Sequence, residues 1–172
     1  MEFLKGLVVF RNNHNLNGNL NDIVTYISEE ITEVRKAYWN NDIDNLIEEL
    51  CDCCIYSFNG MAVLGENNPA YSKQFITDDF NDLSHSLFFH VSMLCHEVKP
   101  KSLCLIIDYC ASYIEKSGYN FELAMNETVK KINSRQGAMN NDTGKWEKSV
   151  SQCKSTLYRP DYQSCKGGLL NT

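Results

Sequence analysis

Between Leu20 and Tyr38 the apolar residues fall at Leu20, Ile23, Val24, Ile27, Ile31, Val34 and Tyr38, the three-and-four spacing of one helix face. This repeat predicts a helix over about 21–39. A polar break at Asn40-Asn41-Asp42 follows, where Asn41 or Asp42 can cap a second helix marked by Ile43, Leu46, Ile47, Leu50, Cys54, Phe58 and Met61. So short a break folds the two helices back on each other as an antiparallel αα-hairpin. From Cys53 to Leu64 the second helix is apolar nearly all round, which predicts burial on most of its sides.

Beyond a loop over 66–78, Leu83, Leu87, Phe88, Val91, Met93, Leu94 and Cys95 predict a third helix over about 79–97. Lys99-Pro100 ends it, and Leu103, Ile106, Ile107, Cys110, Tyr113 and Ile114 predict a fourth over about 102–117, closed by Gly118. Asn120 caps a last helix, expected over 121–136, whose core stripe is Phe121, Ala124, Met125, Thr128, Val129 and Ile132. An apolar piece from Phe3 to Phe10 leads into a loop from Arg11 to Asn19, and the tail after Gly137 reads as irregular. The expected fold is an all-α helical bundle built on the hairpin, one domain over 1–172 with a helical core at 20–136 and a C-terminal arm at 137–172.

The polar positions of the hairpin carry the candidate chemistry. Glu30 and Glu33 lie three apart on its first helix, and Glu49 and Asp52 three apart on its second. Residues at that interval sit roughly 60° apart around a helix, so each pair shares one strip of surface. Counting outward from the turn, Glu33 lies seven residues before Asn40 and Glu49 seven after Asp42, which sets the two strips at one level. Glu29 falls opposite the apolar stripe and belongs to solvent, whereas Glu30 falls near it. Four converging carboxylates repel strongly, since unit charges ~4 Å apart interact by roughly 4 kcal/mol at an effective dielectric near 20. A hard divalent cation resolves that conflict, and all-oxygen ligation suits Mg²⁺, with Mn²⁺ in its place.

The order Glu-x-x-Glu, then fifteen residues, then Glu-x-x-Asp, all on helices, resembles the signature of the MazG-like all-α nucleoside triphosphate pyrophosphohydrolases. The stretch Ala124 to Arg135 is similar to that family's closing segment, and Asp142-Thr143-Gly144-Lys145-Trp146 to a glycine-lysine segment after it. The resemblance implies a MazG-like bundle and Mg²⁺-dependent hydrolysis of an NTP or dNTP to the monophosphate and pyrophosphate, by metal-activated water at the α-phosphorus. It implies Glu30, Glu33, Glu49 and Asp52 as metal-binding and catalytic residues, and Lys131, Asn133, Arg135 and Lys145 as contacts to the substrate. Lys130 stays open beside Lys131. The family's habit of dimers or tetramers implies a homo-oligomer, and the third and fourth helices read as an insertion that adds bundle or dimer surface. Lys145, Lys148 and Arg159 would close a mobile arm over bound phosphates. Against these stand a catalytically silent nucleotide-binding protein and a helical interaction protein of the same fold.

Composition narrows the field further. A net charge of −6 argues against a nucleic-acid surface, which needs clustered Lys and Arg. No apolar run approaches a membrane span and no signal-peptide order opens the chain, so a cytoplasmic protein is expected. There the eight cysteines read as reduced thiols that pack as small hydrophobes, with Cys153 and Cys165 the remaining option for zinc. The spacing of His85, His90 and His96 fits no zinc helix. Asn12, Asn13 and His14 are either a polar connector or partners for a nucleobase edge.

Overall fold

A computed structural model of the chain describes residues 2–13, 19–66, 77–140, 146–149 and 156–167. These residues form an all-α protein of six helices: α1 (Glu2–Asn13), α2 (Leu20–Trp39), α3 (Ile43–Val63), α4 (Phe80–His96), α5 (Pro100–Lys116) and α6 (Phe121–Asn133). No helix among the described residues is long and apolar enough to cross a membrane.

Local chemistry sets the helix ends. Asn19, Asp42, Asp79 and Asn120 each accept a backbone N–H of the first turn that follows, and so cap α2, α3, α4 and α6. Asn41 takes the left-handed backbone conformation at φ 53°, which turns the chain between α2 and α3 in three residues. Pro100 opens α5 at a position where its missing N–H costs nothing, and Gly118 at φ 87° closes it.

The hairpin expected from the break at Asn40 is the spine of the fold. α3 lies against α2, α5 and α6, and its sides are accordingly buried at Leu46, Ile47, Leu50, Cys51, Cys53, Cys54, Phe58 and Met61. α4 packs on α5 and α2, and α5 contributes Leu103, Ile106, Ile107, Cys110 and Ile114 to the same core. The third and fourth predicted helices are therefore built into the core and do not stand outside it.

Several expectations need correction. The N-terminal segment is a helix through Asn13, not an apolar piece followed by a loop from Arg11. Phe3 anchors it, with its ring centroid 5.5 Å from Phe58 and 6.1 Å from Phe121. The last helix stops at Asn133, three residues short of the expected end: the Ser134 N–H is shared between the Lys130 and Lys131 carbonyls, and the Arg135 N–H reaches back only to Ile132, a tightened last turn. The tail is not wholly irregular: Gly137–Met139 pairs antiparallel with Trp146–Lys148, and Tyr162–Cys165 forms a 3₁₀ turn. Ile43, Phe88, Met93 and Cys95, all assigned to apolar faces, are exposed. Tyr38 is partly exposed but stacks on Phe80, and Trp39 lies in water under the Arg35 guanidinium.

The C-terminal segment 156–167 is strapped to α6. The buried Glu127 carboxylate accepts the Tyr158 hydroxyl at 2.5 Å, the Asp161 N–H at 3.0 Å and the Lys130 ammonium at 2.6 Å. The Tyr162 hydroxyl meets Thr128 Oγ1 at 2.9 Å, and the Asn120 N–H donates to the Cys165 carbonyl at 2.9 Å. This part of the tail is a docked brace and not the mobile arm expected for it.

α1 and α6 approach closely at Gly6, where an added Cβ would overlap Val129 Cγ1. Val129 is β-branched and stiff in a helix, so it cannot swing aside cheaply. Gly6→Ala should therefore destabilise the protein by about 1–3 kcal/mol despite alanine's better helix propensity, and Val129→Ala in the same chain should recover part of the loss. Denaturant midpoints of the single and double variants read this directly, and a stabilised single variant would contradict the close approach.

Candidate metal centre

Glu30 on α2 and Glu49 and Asp52 on α3 offer one carboxylate oxygen each, all within 4.8 Å of one another. The hairpin accounts for this meeting. Ile27, Ile31 and Val34 pin α2 onto α3 with no exposure, and Glu30 lies at the edge of that seam, half-buried, while Glu29 lies in water as its helix phase predicts. Asp52 is the most enclosed of the three at 9% exposure. One turn further along each helix, the Tyr26 and Tyr56 rings stack at 5.0 Å and 28° beside the carboxylates.

The electrostatics are those of like charges held together. Burial first, then a hydrogen bond and repulsion from Glu30, then the charges of Asp52 and Glu33, push Glu49 up from 4.5 to about 9. In the ion-free site Glu49 therefore keeps its proton at neutral pH and donates it toward Glu30. Tyr56 is also raised, by burial and by the charges of Glu30 and Asp52, while the Arg135 guanidinium acts in the opposite direction. Arg135 thus lies within electrostatic reach of Tyr56.

The other expected site residues divide. Glu33 lies outside the group of three, half exposed, with Lys36 on its carboxylate at 2.6 Å, although its charge still reaches Glu49. Lys131 on α6 reaches across to α3, where its ammonium pairs with Glu48 in a partly buried contact. Lys130 points the other way, to Glu127 and to the face of Tyr158, so of the two lysines Lys131 is the one facing the hairpin. The Asn133 amide donates to the Gly6 carbonyl at 3.3 Å and to the Val129 carbonyl at 3.0 Å, which spends it on α1 and on its own helix. Lys145 and His14 lie outside the described residues, as does Cys153 of the zinc option.

Glu48 had gone unremarked among the acidic residues. The signal was present: Glu48, Asp52 and Tyr56 recur at i, i+4, i+8, one strip of α3, and Lys131 lies in the last turn of α6, which packs against α3. Comparison of the chain with protein-family models, with curated proteins and with solved structures finds no match.

The donor set suits a hard divalent ion: three oxygen ligands, no sulfur or imidazole, and a proton held on Glu49 that a cation would displace. The sign of the pH effect follows. A carboxyl whose folded value is raised binds more protons folded than unfolded, so its contribution to stability is full below pH 4.5 and is lost as pH rises toward about 9. The metal-free protein should lose melting temperature over that window, Glu49→Gln should flatten the loss, and Mn²⁺ affinity should climb with pH as binding releases the proton. Calorimetric melts and titrations at several pH values test this, and a wild type whose pH dependence matches that of Glu49→Gln would refute it.

Proposed function

We propose that the protein is a Mg²⁺-dependent nucleoside triphosphate pyrophosphohydrolase of the MazG-like type, cleaving an NTP or dNTP to the monophosphate and pyrophosphate. The observation that supports it best is the convergence of Glu30, Glu49 and Asp52 within 4.8 Å, with Lys131 of α6 paired to Glu48, the residue before Glu49. An acidic cluster alone would repel a triphosphate. An acidic cluster that takes up a cation, flanked by Lys131 and Arg135, would attract one.

Glu30, Glu49 and Asp52 would hold Mg²⁺, or Mn²⁺ in its place. When bound, such an ion supplies positive charge to phosphate oxygens and lowers the pKa of water. The chain's own groups do the rest. Arg135 presents a planar fork that matches two phosphate oxygens at once, and Lys131 a compact point charge, so the two offset the charge that builds on the departing pyrophosphate. Glu33, one turn along α2 from Glu30 and outside the group of three, would leave its pairing with Lys36 to orient or deprotonate the attacking water. The Tyr26–Tyr56 stack lies one turn from Glu30 and one turn from Asp52, at one end of the site.

A panel of NTPs and dNTPs with Mg²⁺, read by pyrophosphate release, tests the proposal. Turnover of at least one substrate is expected. Glu49→Gln and Asp52→Asn should each lower kcat/KM by at least about 100-fold, the scale set by losing several kcal/mol of charge stabilisation. Glu33→Gln should lower kcat while leaving Mn²⁺ affinity near wild type. Silence across the whole panel with metal present would remove the enzyme reading, and nucleotide binding without pyrophosphate release would identify a catalytically silent binding protein.

A further inference from the structure

The pair between Glu48 and Lys131 differs from the other ion pairs among the described residues. Lys36–Glu33 and Lys130–Glu127 join residues three apart on one helix, and Lys99–Glu97 joins residues two apart; in all three the lysine is 57% or 58% exposed. Glu48 and Lys131 are 83 residues apart, on different helices, and their side chains are only 21% and 16% exposed. Withdrawing two charges from water costs free energy, so a cross-helix pair of this kind asks for a reason beyond stability.

Its position supplies one. Glu48 immediately precedes Glu49 and lies four residues before Asp52, so Glu48 and Asp52 are neighbours on one strip of α3 with Cβ atoms about 6 Å apart. The flexible four-carbon arm of Lys131 spans such a distance easily, and its ammonium brings three hydrogen-bond donors. Placed between three crowded carboxylates, that ammonium would satisfy them and occupy the ground a cation needs.

We infer that Glu48 is a positioning residue, whose carboxylate tethers the Lys131 ammonium at the edge of the Glu30–Glu49–Asp52 group and keeps the centre of that group open to a divalent cation. The inference rests on the metal reading above and adds to it the residue that decides between an internal cation and an external one. Glu48 needs no contact with metal or substrate for this. It needs only to be the carboxylate that Lys131 prefers.

The test is titration of the whole protein with Mn²⁺ alone at neutral pH, read by the electron paramagnetic resonance of the free ion. Glu48→Gln should weaken Mn²⁺ binding by about tenfold, the lower end of what losing an outer partner of a metal site costs. Glu48→Asp, which keeps the charge, should bind nearly as the wild type does. The decisive variant is Glu48→Gln with Lys131→Met, in which no ammonium is left to intrude and Mn²⁺ affinity should return. Undiminished binding by Glu48→Gln overturns the tether, and so does a double variant that stays weak, since Glu48 would then act as a ligand or a fold element. A wild-type protein that ignores Mn²⁺ overturns the metal reading itself, so the two failures are told apart.

Discussion

Carboxylates crowded together at the edge of a dry seam cannot all keep their charge without compensation. Glu30, Glu49 and Asp52 are in that position because the packing of α2 on α3 leaves them no other. The apolar residues that lock the hairpin are fully buried, so the fold imposes the crowding and does not relax it. A protein that keeps like charges together in this way either binds a proton there or a cation, and the choice depends on pH and on what ions are present.

Around that constraint the remaining elements act as braces. α5 supports α3 from behind, and α6 lies alongside with Lys131 toward the hairpin and Arg135 just past its end. α6 is in turn held by the C-terminal strap through Glu127. Burial works against the charge on that carboxyl, but the Asp161 N–H, Lys130 and Tyr158 together hold it below its usual range. Two glutamates thus stand in opposite situations: Glu49 is crowded by its own kind and keeps a proton, while Glu127 is surrounded by donors and stays ionised. The difference comes from the neighbours, with burial opposing the charge in both.

Helix phase and capping residues made most of the architecture legible in advance. The stripe of α2, the break at Asn40 and the all-round apolarity past Asp52 lead directly to a buried hairpin, and they separate Glu29 from Glu30 correctly. The N-terminal helix was harder to see because it is one short apolar run with Val8-Val9 in its middle, and its helical state depends on Phe3 meeting Phe58 and Phe121 from distant parts of the chain. The early end of α6 lies in backbone bonds that tighten at Ser134 and Arg135 and leave no periodic trace. In the site, spacing could bring Glu30, Glu49 and Asp52 to one level. It could not show that Lys36 would draw Glu33 aside, that α1 would take up the Asn133 amide, or that Glu48 would answer Lys131, because each is a competition among side chains settled only in three dimensions.

The thiols carry a consequence of a different kind. Cys51, Cys53, Cys54 and Cys110 have no exposure and all lie above the ordinary thiol range, Cys53 through a hydrogen bond with Cys110 and then burial, the other three chiefly through burial, whereas Cys95 stands in water. An alkylating reagent would therefore mark Cys95 within its mixing time and meet the central four only when α3 and α5 part. The chain thus carries its own clock for opening events, in which the delay between surface and interior labelling measures how often the spine of the molecule comes undone.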